Sequence, residues 1–275
     1  MRYYEENQFF YDLFWTDRAT RSMNYGFWDA TTLTLARAFR NQNRSIGRAL
    51  RLRKSDVLLE AGCGTGGATV WLAERYGLAG CGITLCRHQA ERGRQLARER
   101  GAGERVEFLM MDFTRTGFRD GSFTRIFASE SVCYAADKAE FLSEAHRLLQ
   151  PGGRLVVVDG FRAPRALDAR ERRVLAEWGD GWAVPELAPL DGFAGALRVA
   201  GFVSVTFSDL TPKIMPSARR ILLRGLCAHP LALAGRRLGL LSEGHFTHVR
   251  SSILQYLVWG RRIGVYGMFA ADRPG

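Results

Sequence analysis

Three glycines spaced by single residues follow a carboxylate in Glu60-Ala61-Gly62-Cys63-Gly64-Thr65-Gly66. The apolar run Val57-Leu58-Leu59 leads in, and Gly67-Ala68-Thr69-Val70-Trp71-Leu72-Ala73-Glu74 leads out. A strand therefore turns through glycines directly into a helix. Without Cβ atoms the backbone turns tightly and a ligand can approach it closely; the same glycines would equally serve a turn with no ligand. The spacing departs from G-x-G-x-x-G, whose turn faces a pyrophosphate in dinucleotide-binding folds. A second group of reactive residues stands in Ala128-Ser129-Glu130-Ser131-Val132-Cys133-Tyr134-Ala135. Its carboxylate, Glu130, can take up a proton or face a cation, and the phenol of Tyr134 lies four residues on.

Alternating elements must position these groups. Strands are expected at Val57–Glu60, Ala79–Thr84, Val106–Met110, Thr124–Ser129 and Arg154–Asp159. Helices are expected between them at Gly67–Tyr76, Cys86–Arg100 and Lys138–Leu149. This alternation predicts an α/β fold, a mostly parallel sheet with helices on both faces. In such sheets ligands bind beyond the carboxyl ends of the strands. The second strand ends at Thr84, where a dinucleotide fold would place an acid for the ribose hydroxyls; Gln89, one helical turn on, can bind those hydroxyls through its amide. The third strand ends at Asp112-Phe113, and Asp112 reads as a ligand acceptor or as a turn residue. Gln150-Pro151-Gly152-Gly153 predicts a sharp turn. Residues 1–54 read as helices rich in aromatics. Residues 161–200 break the alternation, with an irregular stretch over Trp178–Asp191. Val203–Leu210 and Tyr266–Ala271 read as closing strands, and 213–262 as a helical lid. The expected organisation is an N-terminal helical cap over 1–55, a ligand-binding core over 56–160, and lid segments with closing strands of the same domain over 161–275.

In these segments the chain resembles the class I S-adenosylmethionine (SAM) methyltransferases, whose core is Rossmann-like. The glycine turn is similar to their first motif. Gly82-Ile83-Thr84-Leu85-Cys86-x-x-Gln89 resembles the form seen in sterol, tocopherol, cyclopropane-fatty-acid and geranyl-diphosphate methyltransferases, with Cys86 where Ser is usual. Glu130-Ser131…Tyr134-Ala135 resembles the signature after strand four in the same group. Tyr11-Asp12-Leu13-Phe14-Trp15 and Met23-Asn24-Tyr25-Gly26-Phe27-Trp28-Asp29 resemble its N-terminal segment, with Asn24 where His is common. Asp209-Leu210-Thr211-Pro212 and Tyr266-Gly267-Met268-Phe269-Ala270-Ala271-Asp272 resemble the prenyl-diphosphate enzymes. The resemblance is strongest over 57–160.

It implies that Glu60, Gly62, Gly64, Gly66, Thr84, Gln89, Ser129 and Tyr25 contact SAM, that Asp112 accepts a hydrogen bond from the adenine amino group, and that Phe113 packs on the ring. It also implies carbon methylation of an isoprenoid, with a prenyl diphosphate favoured and a sterol or prenylquinone-type lipid behind it. An alkene that attacks the methyl group becomes a carbocation, which needs a site closed to water and aromatic faces around it. Tyr25, Tyr134, Trp178, Trp182 and Phe246 are candidates for those faces. Glu130 is the candidate base that ends the cation, and Tyr134 its catalytic neighbour. Arg219, Arg220, Arg224 and Arg250 are candidates to hold a diphosphate, with Mg²⁺ in support. The alternative is O- or N-methylation of an aromatic natural product, which needs a base such as His245 or His248.

Composition bounds these readings. The chain has 275 residues, 47% of them hydrophobic, which suits one α/β domain with an added lid. No uncharged apolar run is long enough for a membrane span, and no signal peptide is read at the N-terminus. Stable membrane insertion is therefore not expected, whereas transient contact through the amphipathic 218–241 segment is compatible with the sequence. The five cysteines form no C-x-x-C pair and read as reduced thiols of a cytoplasmic protein with no protein-bound metal centre. Net charge is +11, and only three of the 39 basic residues are lysine. The run Arg37, Arg40, Arg44, Arg48, Arg51, Arg53, Lys54 has the spacing of a solvated helix face. A nucleic-acid partner is not expected, because neither [DNS]-P-P-[YF] nor Pro-Cys stands after strand four. A homo-oligomer is expected.

Overall fold

The computed structural model describes residues 24–275. The Tyr11–Trp15 motif and Met23 lie outside the described residues. Seven strands form one sheet in the order β3-β2-β1-β4-β5-β7-β6. They are β1 (Val57–Ala61), β2 (Ala79–Thr84), β3 (Val106–Met110), β4 (Phe123–Ser129), β5 (Leu149–Arg162), β6 (Val203–Asp209) and β7 (Gly264–Asp272). The first five are parallel, and β7 inserts antiparallel between β5 and β6. Both faces are covered over the centre of the sheet, where β1, β4 and β5 are largely buried, while the edge strand β6 is mostly exposed. Leu58, Phe127, Val156 and Val158 enter one core, and Leu59, Ala61, Ile126 and Val157 enter the other.

The helices are α1 (Leu35–Ala49), α2 (Gly67–Tyr76), α3 (Arg87–Glu99), α4 (Lys138–Leu148), α5 (Ala169–Trp182), α6 (Leu190–Val199), α7 (Thr211–Arg237) and α8 (Glu243–Gly260). Thr34 caps α1 by accepting from the Arg37 main chain. Ala38, Phe39, Gln42 and Ile46 on α1 face inward, while Arg37, Arg40, Arg44 and Arg48 are exposed. The basic run is thus a solvated face, as its spacing predicts. α5, α7 and α8 pack together as a helical layer beyond the sheet, with α8 touching both of the others. No helix among the described residues is long and apolar enough to cross a membrane.

Two local expectations are corrected. Gln150–Gly153 is no turn between elements: β5 already pairs with β4 at Phe123↔Leu149 and resumes at Arg125↔Arg154. The extra residues bulge within the strand, and Gly152 takes a φ of +75° there. Trp178 and Trp182 belong to α5, which a capping box of Asp168 and Glu171 starts and Ala183, at a φ of +54°, ends. Only 183–189 is irregular.

Gly66 shows what one glycine does for packing. Its φ is +81°, and a Cβ there would enter the Phe108 ring, which lies between α3 and the glycine turn. Gly66→Ala is therefore expected to destabilise the fold by about 1–3 kcal/mol, the cost of overpacking plus a strained φ. Thermal unfolding of the variant measures this.

Candidate active site

A cavity of about 410 Å³ opens at the carboxyl ends of β1, β2 and β4, and α5 and α8 close it from the opposite side. It brings together Tyr25, Glu60, Gly62, Gly64, Thr84, Gln89, Phe113, Ser129, Glu130, Tyr134, Trp178 and Trp182, which lie far apart in the chain. The topology explains this convergence. Parallel strands all end on one edge of the sheet, and the antiparallel β7 brings Tyr266 and the preceding α8 back over that edge.

The glycine turn is built for close approach. Gly62, Gly64 and Gly66 have φ values of +76°, +51° and +81°, in the left-handed region that favours glycine. The main-chain N–H groups of Gly62 and Cys63 both donate to the Ile83 carbonyl, at 2.9 Å each, which fastens the turn to the end of β2. A Cβ on Gly62 would collide with Ser131. On the β2 side, Thr84 Oγ1 donates to Gln89 Oε1 at 2.8 Å, and both residues line the cavity. A phosphate-free cradle bounded by Glu60, Thr84, Gln89 and Phe113 fits a sulfonium, an ammonium tail and a ribose. SAM would be held here.

Three carboxylates line the cavity: Glu60, Glu130 and Asp159. No Lys or Arg is among the described lining residues. Glu60 is buried and accepts from Thr69 Oγ1 and from the Thr69 main chain at the start of α2. Burial pushes its carboxyl up to about 8, against the Thr69 hydrogen bonds that hold it lower. Glu130 follows β4 directly, with φ +53°, a left-handed backbone that costs an L-residue with a Cβ about 1–2 kcal/mol. Its N–H donates to the Val158 carbonyl at 2.8 Å, and its Oε1 accepts from Tyr266 Oη at 2.6 Å and the Tyr25 main chain at 3.1 Å. Enclosure in the cavity pushes Glu130 up to about 7, helped by the nearby Asp159 carboxylate and opposed by those two hydrogen bonds and by the Gln42 amide. Asp159 is buried, accepts from the Cys133 and Gly160 main chains, and is raised by burial. The cavity is thus prepared for positive charge brought by its contents.

Aromatic side chains form the far wall. Trp259 Nε1 donates to Tyr25 Oη at 3.1 Å, and Tyr25 Oη donates to Gln255 Oε1 at 2.7 Å. Tyr25 stands edge-on to both Trp259 and Tyr266, and Trp178 edge-on to Trp259. Gln42 Nε2 donates to Ser129 Oγ at 3.0 Å, and Asn24 Nδ2 donates to the same oxygen at 2.8 Å. Gln42, Asp159, Gln255, Trp259 and Tyr266 were not among the candidate site residues. Tyr266 and Asp159 stand in expected strands: Asp159 on β5 next to β4, and Tyr266 on β7 across from Gly160. Gln255, a polar residue between Leu254 and Tyr256 of α8, offered no spacing signal.

Other expected site residues stand elsewhere. Gly66 packs on Phe108. Asp112 is exposed, and its Oδ1 accepts from the Thr114 main chain and hydroxyl at 2.8 and 2.9 Å, as in a turn. Phe246 is buried against His229 and beneath the Arg236 guanidinium. His245 bonds Ser242 at the start of α8, and His248 Nδ1 meets the Gly181 carbonyl; neither lines the cavity. Arg219 is exposed on α7, Arg220 lies over the Trp28 ring, and Arg250 pairs with Glu177 at 2.7 Å. No cluster of His, Cys, Asp or Glu suited to hold a metal occurs among the described residues.

Residues 59–157 match a family model described as a methyltransferase domain. The chain is 34% identical to an Oryza sativa subsp. japonica protein named as a tocopherol O-methyltransferase, over 56% of this chain but only 44% of the relative. It is 31% identical to 27-O-demethylrifamycin SV methyltransferase of Amycolatopsis mediterranei, over 71% of this chain and 72% of the relative. In fold it is similar to geranyl diphosphate C-methyltransferase from Streptomyces coelicolor A3(2). That pair has a TM-score of 0.75 at 23% identity, covering 99% of this chain and 98% of the other.

Gly64→Val should abolish SAM binding, because Gly64 lines the cavity at a φ of +51° and a β-branched side chain there both strains the turn and fills the cradle. Calorimetry compared with a melting curve separates the two effects. SAM binding should also release protons near pH 7. Glu60 and Glu130 are raised to about 8 and about 7, so each is wholly or partly protonated there. Cationic charge placed beside them lowers both and drives ionisation. The release should fade above about pH 9, where both are already ionised. Binding heats that depend on the ionisation heat of the buffer report it.

Proposed function

The chain belongs to the SAM-dependent methyltransferases, and we propose that it methylates an alkene carbon of a neutral isoprenoid acceptor, with Glu130 as the base. One observation carries this reading: the Glu130 carboxylate stands in a cavity walled by Tyr25, Tyr134, Trp178, Trp182, Trp259 and Tyr266 and lined, among the described residues, by no cationic side chain.

SAM supplies a methyl group on a sulfonium, open to attack by an electron pair. The acceptor's alkene π electrons form the new C–C bond, and the electrons of the breaking S–CH₃ bond return to sulfur. The adjacent acceptor carbon is left cationic. The aromatic faces stabilise it by up to about 2 kcal/mol each in a desolvated site, and the α5 and α8 wall keeps water from it. Glu130 then accepts a proton from a neighbouring carbon, and the C–H electrons restore an alkene. Tyr266 Oη and the Tyr25 N–H hold Glu130 Oε1 in place, which leaves Oε2 for the proton. The resemblance in fold to a geranyl diphosphate C-methyltransferase supports the carbon chemistry. The charge of the lining favours a neutral acceptor over a diphosphate.

A second reading is methylation of an acceptor hydroxyl, with Glu130 taking the hydroxyl proton. The two relatives that act on oxygen favour it. The site of the new methyl group, read by fragmentation or NMR of the product formed from isotopically labelled SAM, separates the two.

Glu130→Gln keeps an oxygen for Tyr266 and Tyr25 but removes the base. SAM affinity should hold within a few-fold while turnover falls by about 10²–10⁴. In the wild type, kcat/KM should fall as pH drops through about 7, because the protonated carboxyl cannot act as a base. That limb should be absent in the variant. A variant that turns over at the wild-type rate would remove Glu130 from the mechanism.

A further inference from the structure

The cavity has two ends. One is the cradle of the glycine turn, Thr84 and Gln89. The other is the wall of α5 and α8, with Trp178, Gln255 and Trp259. Two buried donors on this second end lack any acceptor: Trp178 Nε1 and Gln255 Nε2. Gln255 is 0% exposed and Trp178 5%. A buried N–H without a partner carries its full desolvation cost, so nearly all such groups in folded proteins are paired. Both residues line the cavity, so an acceptor atom of a ligand bound there can supply the missing partner.

The orientation of the Gln255 amide follows from its neighbours. Trp259 Nε1–H occupies a lone pair of Tyr25 Oη, so the Tyr25 hydrogen passes on to Gln255 Oε1. The NH₂ end of the amide is thereby turned away from Tyr25, without a partner.

We propose that Gln255 Nε2 and Trp178 Nε1 bind an uncharged oxygen of the methyl acceptor, a hydroxyl, carbonyl or ether, and select an oxygenated apolar molecule over the hydrocarbon and over a diphosphate. This rests on reading the cavity as the acceptor site of a methyltransferase. Both donors are neutral, and Glu60, Glu130 and Asp159 line the same space. A diphosphate there would set several negative charges against three carboxylates with no described Lys or Arg between them. The same network sets the register of the acceptor. Gln255 holds Tyr25 through its carbonyl, and the Tyr25 main chain holds Glu130. An oxygen anchored on Gln255 therefore fixes which carbon lies beside the Glu130 carboxylate.

The test is binding rather than turnover. The full chain loaded with S-adenosylhomocysteine is titrated with 2-geranylphenol, geranylbenzene and geranyl diphosphate, followed by tryptophan fluorescence. Wild type should bind the phenol about ten- to a hundredfold more tightly than geranylbenzene, the usual effect of pairing buried donors. It should bind the phenol more tightly than the diphosphate as well. Trp178→Phe keeps a ring against Trp259 and removes only the indole N–H; it should lose several-fold of the preference. Gln255→Met should lose most of it. Equal binding of phenol and geranylbenzene overturns the proposal, as does a preference unchanged in both variants or a preference for the diphosphate. If Gln255→Met does not fold, Trp178→Phe decides alone. Because no methyl transfer is read, the oxygen site can fail while Glu130-dependent carbon methylation stands, and the reverse.

Discussion

The architecture of this site depends on one unusual arrangement, a carboxylate held inside a protein with no described cation beside it. Glu130 gains two hydrogen bonds on one oxygen, from Tyr266 on β7 and from the main chain at Tyr25, and neither donor is charged. Burying a carboxylate without a cation is costly, and the group responds by holding its proton more tightly. Its backbone is also in a left-handed conformation that a side chain disfavours. Strain and desolvation at one residue persist only where the surroundings over-determine it. Here three segments distant in sequence do so: the stretch before α1, the end of β4 and the reversed strand β7.

The fold supplies that convergence through two devices. Parallel strands deliver Glu60, Thr84 and Glu130 to one edge of the sheet, so the cradle and Glu130 need no special loops. The antiparallel β7 then returns the chain between β5 and β6, and the Tyr266 hydroxyl reaches Glu130. α8, which precedes β7, lays Gln255 and Trp259 over the same edge. The Trp259–Tyr25–Gln255 chain of hydrogen bonds ties this helix to the segment before α1. Closure of the cavity and the position of Glu130 are therefore one structural problem with one solution, since Tyr25 takes part in both.

Much of this was legible in the residues. The ends of β1, β2, β3 and α2 fall within a residue of where hydrophobic runs and glycines place them, because local pattern decides them. Glu130 was legible for the same reason: a carboxylate after an apolar strand has one place to go in a parallel sheet. What escaped was set by tertiary contact. The polar wall of Gln42, Asp159 and Gln255 carries no spacing signal: Gln42 lies within the polar run Asn41–Ser45 of α1, and Asp159 and Gln255 are flanked by apolar or small residues. Expectations that rested on charge also misplaced residues. Arg219 and Arg220 read as anion ligands because arginines cluster in 213–262, yet on α7 one is exposed to solvent and the other lies over Trp28. Likewise Asp112 and Gly66 stand next to the site in sequence but serve a turn and the Phe108 contact.

The distribution of charge separates two roles that net charge alone would merge. The chain carries +11 overall, while its cavity is lined by three carboxylates and no described Lys or Arg. Basic residues on the helix faces sit in water, where their field is screened within about 10 Å and costs nothing to solvate. Carboxylates inside cannot be solvated and are not screened. Asp159 has Lys138 nearby, whereas the raised carboxyls of Glu60 and Glu130 express a preference for a cation that no described side chain supplies, so that cation must arrive with the ligands. In the proposed reaction, a sulfonium near Glu60 and positive charge developing on an acceptor carbon near Glu130 would both meet that requirement. A carboxylate already desolvated before the acceptor becomes cationic needs little reorganisation when that charge appears, and this preorganisation is what the hydrogen bonds from Tyr25 and Tyr266 maintain.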